Sequence, residues 1–351
     1  MLSCAASLRM AAGWMPAFLL MAGLSVQAAE DSPPTAQQIL EATGVQGGLI
    51  VHLGCGDGKA TASLLAGDGF LVQGLDPRAA NVAAARSHIR SLGSYGRVSV
   101  DLFDGNRLPY ADDIVNLLLV ESGLHVPAEE IVRVLVPRGI VLFRDPPPAF
   151  PKWTGPKVEG WTAYVKPIPD DIDEWTHYYQ GPHNNPAAND KRVGFPQHLQ
   201  WDAEPDWAHH HQAARGIELM VSAQGRLIYL VSEGETSMGD TLPERWALVA
   251  RDAFNGVILW KRTVGHFEYG EKWSAQKLPR KALYPKQRRL PVRRLVAVGN
   301  RVYFTFGMDA PVSILDAETG RTLKVLEHTR HCGEIVCFKD RLFVSIRHNQ
   351  D

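Results

Sequence analysis

The stretch LIVHLGCGDGKA, residues 49–60, decides the fold. An apolar run from Leu49 to Leu53 leads into glycines at alternate positions, Gly54, Gly56 and Gly58, and then into small residues that suit a helix. A strand that must turn tightly into a helix needs residues tolerant of unusual backbone angles, and glycine also lets a ligand touch the main chain. The spacing is G-x-G-x-G. Lys59 occupies the place where a dinucleotide fingerprint would carry its third glycine, and no G-x-x-x-x-G-K-[ST] phosphate loop can be drawn, which argues against nicotinamide and ATP.

The surrounding sequence from Pro34 to Phe143 alternates short apolar runs with helical stretches, the pattern of a parallel sheet covered by helices. Strands are predicted at Leu49–Leu53, Phe70–Leu75, Val98–Leu102, Ile114–Val120 and Ile140–Phe143, with helices near Ala60–Leu65, Ala79–Leu92 and Ala128–Leu135. Thr35 and Gln38 form a capping box for a helix before the first strand. In such a doubly wound sheet the ligand lies at the carboxyl ends of the strands. Asp76, at the tip of the second strand about 20 residues after the glycines, suits a pair of ribose hydroxyls; Asp104 reaches the same edge from the third.

In order, the chain presents LGCGDG at 53–58, the acidic tip Asp76, Asp104 followed by Leu108-Pro109-Tyr110, and Arg133-Val134-Leu135 with Pro137 and Gly139. These four elements resemble the class I S-adenosylmethionine-dependent methyltransferases of the small-molecule type, over about one third of the chain. The resemblance implies a Rossmann-like domain using S-adenosylmethionine, with Gly54, Gly56 and Gly58 along its methionine part, Asp76 on the ribose, and Asp104 and the Gly105 amide at the adenine edge. His52 departs from that family, which carries there an acid that helps place the cofactor's ammonium group. Arg138 replaces a glycine. Methyl transfer is a displacement that positioning can accelerate without a dedicated base, and Glu121 and His125, after the fourth strand, are the weak catalytic candidates. Cys55 is expected only to pack in the loop. DPPP at 145–148 follows the fifth strand, so it is not the D/N-P-P-Y box of amino-methyltransferases.

The rest of the chain is built differently. Eight of the nine tryptophans fall between Trp153 and Trp273, and residues 151–216 read as a Trp/Pro-rich connecting region. From residue 217 the pattern is all β, with strands predicted at Leu227–Val231, Ala247–Ala250, Val257–Trp260, Leu295–Val298, Val302–Phe306, Val312–Leu315 and Arg341–Ile346. ARDAFNGVILWKR, around Asp252 and Gly256, aligns with ILDAETGRTLKVL, around Asp316 and Gly320; GNRVYFTF is echoed by KDRLFVSI about 40 residues on, the length of a propeller blade. These repeats resemble pyrroloquinoline-quinone-type β-propellers, in which a Trp docks against the next blade; Trp260 fills that place and Lys324 stands at its counterpart. The whole resembles exported bacterial fusions of a methyltransferase-like domain with such a propeller. The expected fold is thus an α/β Rossmann-like domain at 30–150 followed by an all-β, incomplete propeller of two or three blades at 217–351, part of a longer protein. A quinone cofactor is not expected, because a complete propeller and its ligand set are lacking.

Arg9 precedes an apolar run from Ala11 to Val26, and small residues end at Ala28, the pattern of a cleaved signal peptide at 1–28; export to the periplasm or cell envelope follows, with no membrane span after cleavage. The formal net charge of −1, from 37 basic and 38 acidic residues, gives no general reason to bind nucleic acid. The stretch 280–294 holds seven basic residues, read as an inter-strand loop. Neither Asp170, Asp171, Asp173 and Glu174 nor His209–His211 has metal-site spacing; solvated charges and backbone caps are expected. Cys332 and Cys337 are the cysteines whose pairing the spacing leaves open. Three functions follow: methyl transfer to an unidentified small-molecule or protein acceptor, with the β region binding a protein or glycan; a non-catalytic exported scaffold; or part of a quinone-dependent enzyme.

Overall fold

A computed structural model describes residues 34–147, 149–192, 194–195, 199–203, 217–233, 246–264, 293–307 and 309–346. The leader-like segment, His209–His211 and most of the basic stretch 280–294 lie outside the described residues.

Helix α1 (Ala36–Thr43) opens on the expected capping box: Thr35 N–H donates to Gln38 Oε1 at 2.8 Å, and the Gln38 N–H donates to Thr35 Oγ1. Then follow β1 (Gly48–Leu53), α2 (Lys59–Ser63), β2 (Phe70–Asp76), α3 (Ala79–Ser91), β3 (Val98–Leu102), β4 (Val115–Val120), α4 (Ala128–Val134), β5 (Leu135–Phe143) and β6 (Thr162–Val165). The sheet order is β3-β2-β1-β4-β5-β6, all parallel except β6. The expected strands and helices are all present, within a few residues at their ends; β5 alone starts five residues earlier. β6 draws part of the Trp/Pro-rich region into the first sheet.

Alternation along each strand fills two cores. Ile50, Val72, Val100 and Leu117 pack beneath α1 and α3 against Ile39, Leu40, Val82 and Ile89. Val51, Leu53, Leu75, Leu118 and Val120 pack on the other face against Ile131 and Val134 of α4. A strand buried on both faces must be apolar throughout, which is why these runs were readable.

The second part contains β7 (Ile217–Ala223), β8 (Arg226–Ser232), β9 (Trp246–Asp252), β10 (Ile258–Val264), β11 (Leu295–Val298), β12 (Arg301–Thr305), β13 (Val312–Asp316), β14 (Thr322–Leu326), β15 (Cys332–Phe338) and β16 (Arg341–Ile346). They form antiparallel sheets of four, four and two strands, β10-β9-β8-β7, β11-β12-β13-β14 and β15-β16, with no closed barrel or propeller among the described residues. Cys332 and Cys337 stand five residues apart on extended β15, roughly 16 Å at the rise of a strand, beyond the roughly 7 Å limit between disulfide-bonded Cα atoms.

Both copies of the sequence repeat are the turn between third and fourth strands of a sheet. Asp252 Oδ1 accepts from the Phe254 and Asn255 N–H groups, and Asp316 Oδ1 accepts from those of Glu318 and Thr319. Each turn closes at a left-handed glycine, Gly256 (φ 73°) or Gly320 (φ 69°), against which an indole packs. Trp260, on the last strand of one sheet, covers Gly320 of the next and donates Nε1–H to Ala317 O at 2.9 Å. Trp201 does the same for Gly256 and Ala253 O at 3.1 Å, a partner the sequence reading did not assign. Trp260→Phe keeps an aromatic ring but loses the pyrrole half of the indole with its hydrogen bond, and is expected to cost about 2–3 kcal/mol in urea unfolding.

One segment ties the three sheets together. Trp175 exchanges hydrogen bonds with Ser222 of β7, Thr176 O accepts from Ala297 N–H of β11, and His177 Nε2 accepts from Cys337 N–H of β15 at 3.1 Å. Each contact is to the first strand of a sheet. Burial lowers the His177 pKa from its ordinary 6.5 to about 4, and the acceptor role at Nε2 requires the neutral ring. The unfolded chain therefore binds the extra proton between those values, so stability is full above pH 6.5 and is lost as pH falls towards 4. About 2–3 kcal/mol of this acid loss should vanish in His177→Gln, measured by denaturant titrations across that range.

Among the described residues the two parts meet at the amino ends of β1 and β4. Asn116, on β4, donates to Asp252 Oδ2 at 2.6 Å, while its Oδ1 accepts from Leu49 N–H and Asn255 Nδ2. The carboxyl ends of the strands lie at the opposite edge of the sheet.

Candidate functional site

The glycine loop leaves β1 at that opposite edge. Gly54, Gly56 and Gly58 have φ of 82°, 55° and 80°. At Gly58 two demands coincide, since a Cβ would also stand 2.7 Å from Ala85 Cβ of α3. At Gly56, and at Gly105 in the loop after β3, the space where a Cβ would stand has no neighbour within 4 Å. Two backbone segments at the strand tips are thus open to a ligand, as a cofactor cradle requires.

Asp76 ends β2 with its side chain 1% exposed. Oδ2 accepts from Gly56 N–H at 3.0 Å, Oδ1 accepts from Arg78 N–H at 2.9 Å, and Asn81 Nδ2 reaches both oxygens at 3.0 Å. Burial pushes this carboxyl up, but the donations from Asn81, Arg78 and Gly56 outweigh it and hold the pKa below the ordinary value. Asp76 is therefore the anchor that fixes the glycine loop to β2. Asn81, its bidentate partner, was not singled out from sequence, although its place in the first turn of α3 just after the acid is a local signal.

Asp104 is exposed and accepts from Asn106 N–H at 2.9 Å. Its loop is held by Arg133, whose guanidinium donates to Leu108 O and Tyr110 O and pairs with Glu130 and Asp112. Two motifs that are merely successive in sequence, LPY at 108–110 and RVL at 133–135, are thereby one mechanical element. Beside the loop a cavity of about 570 Å³ opens between α3 and β3, lined by Ala79, Val82, Arg86, Leu102 and Pro109.

At the tips of β1, β4 and β5 a polar cluster forms. Buried His52 places Nδ1 2.9 Å from Thr61 Oγ1 and Nε2 3.3 Å from Glu121 Oε1. Arg144 Nε lies 3.4 Å from Glu121 Oε2, and the Arg144 guanidinium stacks 4.0 Å over the Trp161 ring. Burial alone would raise the Glu121 pKa, but His52 and Arg144 hold it below the ordinary value, so the carboxylate is ionised. Thr61-His52-Glu121 has the order of a nucleophile, a base and an orienting acid, yet Thr61 is fully buried and no substrate can reach it. A single ring proton satisfies this chain: Nε2–H donates to Glu121 and Nδ1 accepts the Thr61 hydroxyl. His125 is exposed and outside the cluster. Arg144 and Trp161 were not anticipated, because the prolines after Arg144 mark a loop and do not reveal what it folds back upon.

Burial, with the nearby Asp76 charge, raises the Cys55 pKa to about 12, so it is a packed thiol with no thiolate to react. The described residues hold no group of side chains able to bind a metal. Asp171 pairs with Arg192, where a solvated charge or backbone cap was expected, while Asp173 accepts from Asn189 N–H and Glu174 accepts from Gln224 N–H.

A parallel sheet whose order reverses beside β1, with a glycine cradle and an acid-anchored turn at its carboxyl edge, defines a nucleoside-binding α/β domain. Residues 50–139 match the family described as a methyltransferase domain. The chain is 36% identical over 124 residues to the methyltransferase GfsG of Streptomyces halstedii, covering 33% of this chain and 45% of that protein; it thus spans less than half of that relative. Similar solved structures include an S-adenosylmethionine-dependent methyltransferase of Aquifex aeolicus (21% identity, 33% of this chain and 68% of that one, TM-score 0.29). Another is the geranyl diphosphate C-methyltransferase of Streptomyces coelicolor (21% identity, 31% and 44%, TM-score 0.29). The likeness to a methyltransferase domain therefore falls on the first sheet of this chain, at residues 50–139.

Proposed function

We propose that the chain transfers a methyl group from S-adenosylmethionine to a small-molecule or protein acceptor that approaches the carboxyl edge of the first sheet. The observation that carries this reading is the open cradle at Gly56 and Gly105, held in shape by Asp76 and Arg133. When bound, the cofactor supplies an electrophilic methyl on a sulfonium. The protein's part is to orient it: Gly54 to Gly58 give close backbone approach, Asp76 keeps the ribose side of the loop rigid, and Asp104 with the Gly105 amide meets the base. Ribose hydroxyls reaching Asp76 would share its oxygens with Asn81. Positioning alone accounts for much of the acceleration of such a displacement.

The β region we read as blades of a propeller of the quinone-protein repeat type that binds a protein or glycan in an exported protein. Support comes from the two four-stranded meanders and from the indoles of Trp201 and Trp260, each docked on an Asp-x-x-x-Gly turn. Because this region contacts the amino edge of the first sheet, it leaves the carboxyl edge to the cofactor and acceptor.

A non-catalytic scaffold is favoured by one observation, the engagement of both Asp76 oxygens within the protein. Incubating the full chain with methyl-tritiated S-adenosylmethionine and envelope extract separates the two. Label transferred to a component of the extract, and lost in Asp76→Ala, is the expected result; cofactor binding without transfer would establish the scaffold.

A further inference from the structure

S-Adenosylmethionine carries its charges at one end, and the strand order reverses between β1 and β4, the crevice where ligands of such sheets bind. The cationic amino group of that end needs a carboxylate, and position 52, where the resemblance leads one to expect it, holds a histidine. Asp76 is buried with both oxygens engaged, Asp57 is paired with Lys59 at 2.8 Å, and Asp104 lies at the far side beyond β2. Glu121 is the carboxylate at the reversal itself. Its Cβ would stand 2.9 Å from a Cβ on Gly54, so it lies directly against the glycine loop, and its side chain is one-third exposed. The two bonds it makes are long, 3.3 Å to His52 and 3.4 Å to Arg144, and a carboxylate has about four acceptor positions.

Resting on the proposed use of S-adenosylmethionine, we infer that Glu121 is the binding residue for the cofactor's amino group, the carboxylate having moved from the tip of β1 to the tip of β4. His52 becomes its positioning residue. The ring fixes Glu121 through Nε2–H and is itself fixed by Thr61, while Arg144, held on Trp161 and by Gly160 O at 3.0 Å, steadies the other oxygen. The tip of β4 thus holds the carboxylate that the tip of β1 lacks, with one oxygen shared with Arg144 and the other with His52.

The test uses binding to the full chain of three ligands: S-adenosylhomocysteine, 5′-methylthioadenosine, which lacks the amino-acid end, and 5′-S-(3-carboxypropyl)-5′-thioadenosine, which lacks only the amino group. Glu121→Gln is expected to weaken S-adenosylhomocysteine about tenfold or more and to leave 5′-methylthioadenosine within twofold. On the wild-type chain, which avoids any folding defect of the variant, removal of the amino group should cost a similar factor. Equal losses for all three ligands in the variant would show a merely structural Glu121 and overturn the inference. So would wild-type binding that ignores the amino group. Wild-type protein that binds none of the three overturns the methyltransferase reading, and this inference with it.

Discussion

Asp76→Ala is expected to lower S-adenosylhomocysteine affinity at least about 100-fold and to destabilise the protein by about 4 kcal/mol. The buried carboxylate takes donations from Gly56 N–H, Arg78 N–H and Asn81, and a hydrogen bond to a charged group is worth about 1.5–3 kcal/mol. Alanine leaves these donors unpaired inside the protein and frees the glycine loop from β2. Asp76→Asn keeps the volume but turns a donor towards donors, so it should recover little. Titration and thermal unfolding of both variants check this. The depressed carboxyl pKa fixes the sign with pH: the contribution is present above the ordinary carboxylate value of 3.8 and is lost as pH falls through the lower value of the folded state.

The second large effect is at the junction of the two parts. Asn116 gives its amide protons to Asp252 and keeps its oxygen for Leu49 N–H and Asn255. Asn116→Asp alone would bring two carboxylates together at a 2.6 Å contact away from water, and is expected to cost about 4–5 kcal/mol. Asp252→Asn alone can retain its bonds to the turn only by facing one amide group with another. Combining the two substitutions restores a consistent set, because a carboxylate at position 116 can accept all three donors and an amide at position 252 can donate across the junction. Denaturant unfolding should therefore show two destabilised single variants and a double variant that recovers most of the loss. In hydrogen exchange the single variants should open the starts of β1 and β4 and the turn at 252–256. Their S-adenosylhomocysteine affinity should stay within about twofold, since the junction and the glycine loop are at opposite edges of the sheet.

Features carried by local pattern were legible from the sequence. The capping box at Thr35, the doubly buried strands, the turns after Asp252 and Asp316, and the glycine loop each depend on residues within a few positions of one another. Strands without such a pattern escaped: β14 has four exposed residues in a row, as an edge strand can, and β6 is four residues long in a Trp/Pro-rich stretch. The site was legible as an ordered set of motifs but not as a mechanism. Arg133 joins segments more than 20 residues apart, Trp201 docks on a turn about 50 residues on, and Asn116 pairs across 136 positions. Such partners are chosen by topology. His52 shows the limit most clearly, because read alone it is only a departure from the acid that the resemblance implies, whereas the fold sets its ring against the Glu121 carboxylate.

The central claim is that the carboxyl edge of the first sheet binds S-adenosylmethionine. Isothermal titration of the full wild-type chain with S-adenosylhomocysteine tests it most directly. One saturable site per chain, lost in Asp76→Ala and unaffected by the combined exchange at Asn116 and Asp252, is the predicted result; absence of binding by the folded wild-type chain would contradict it.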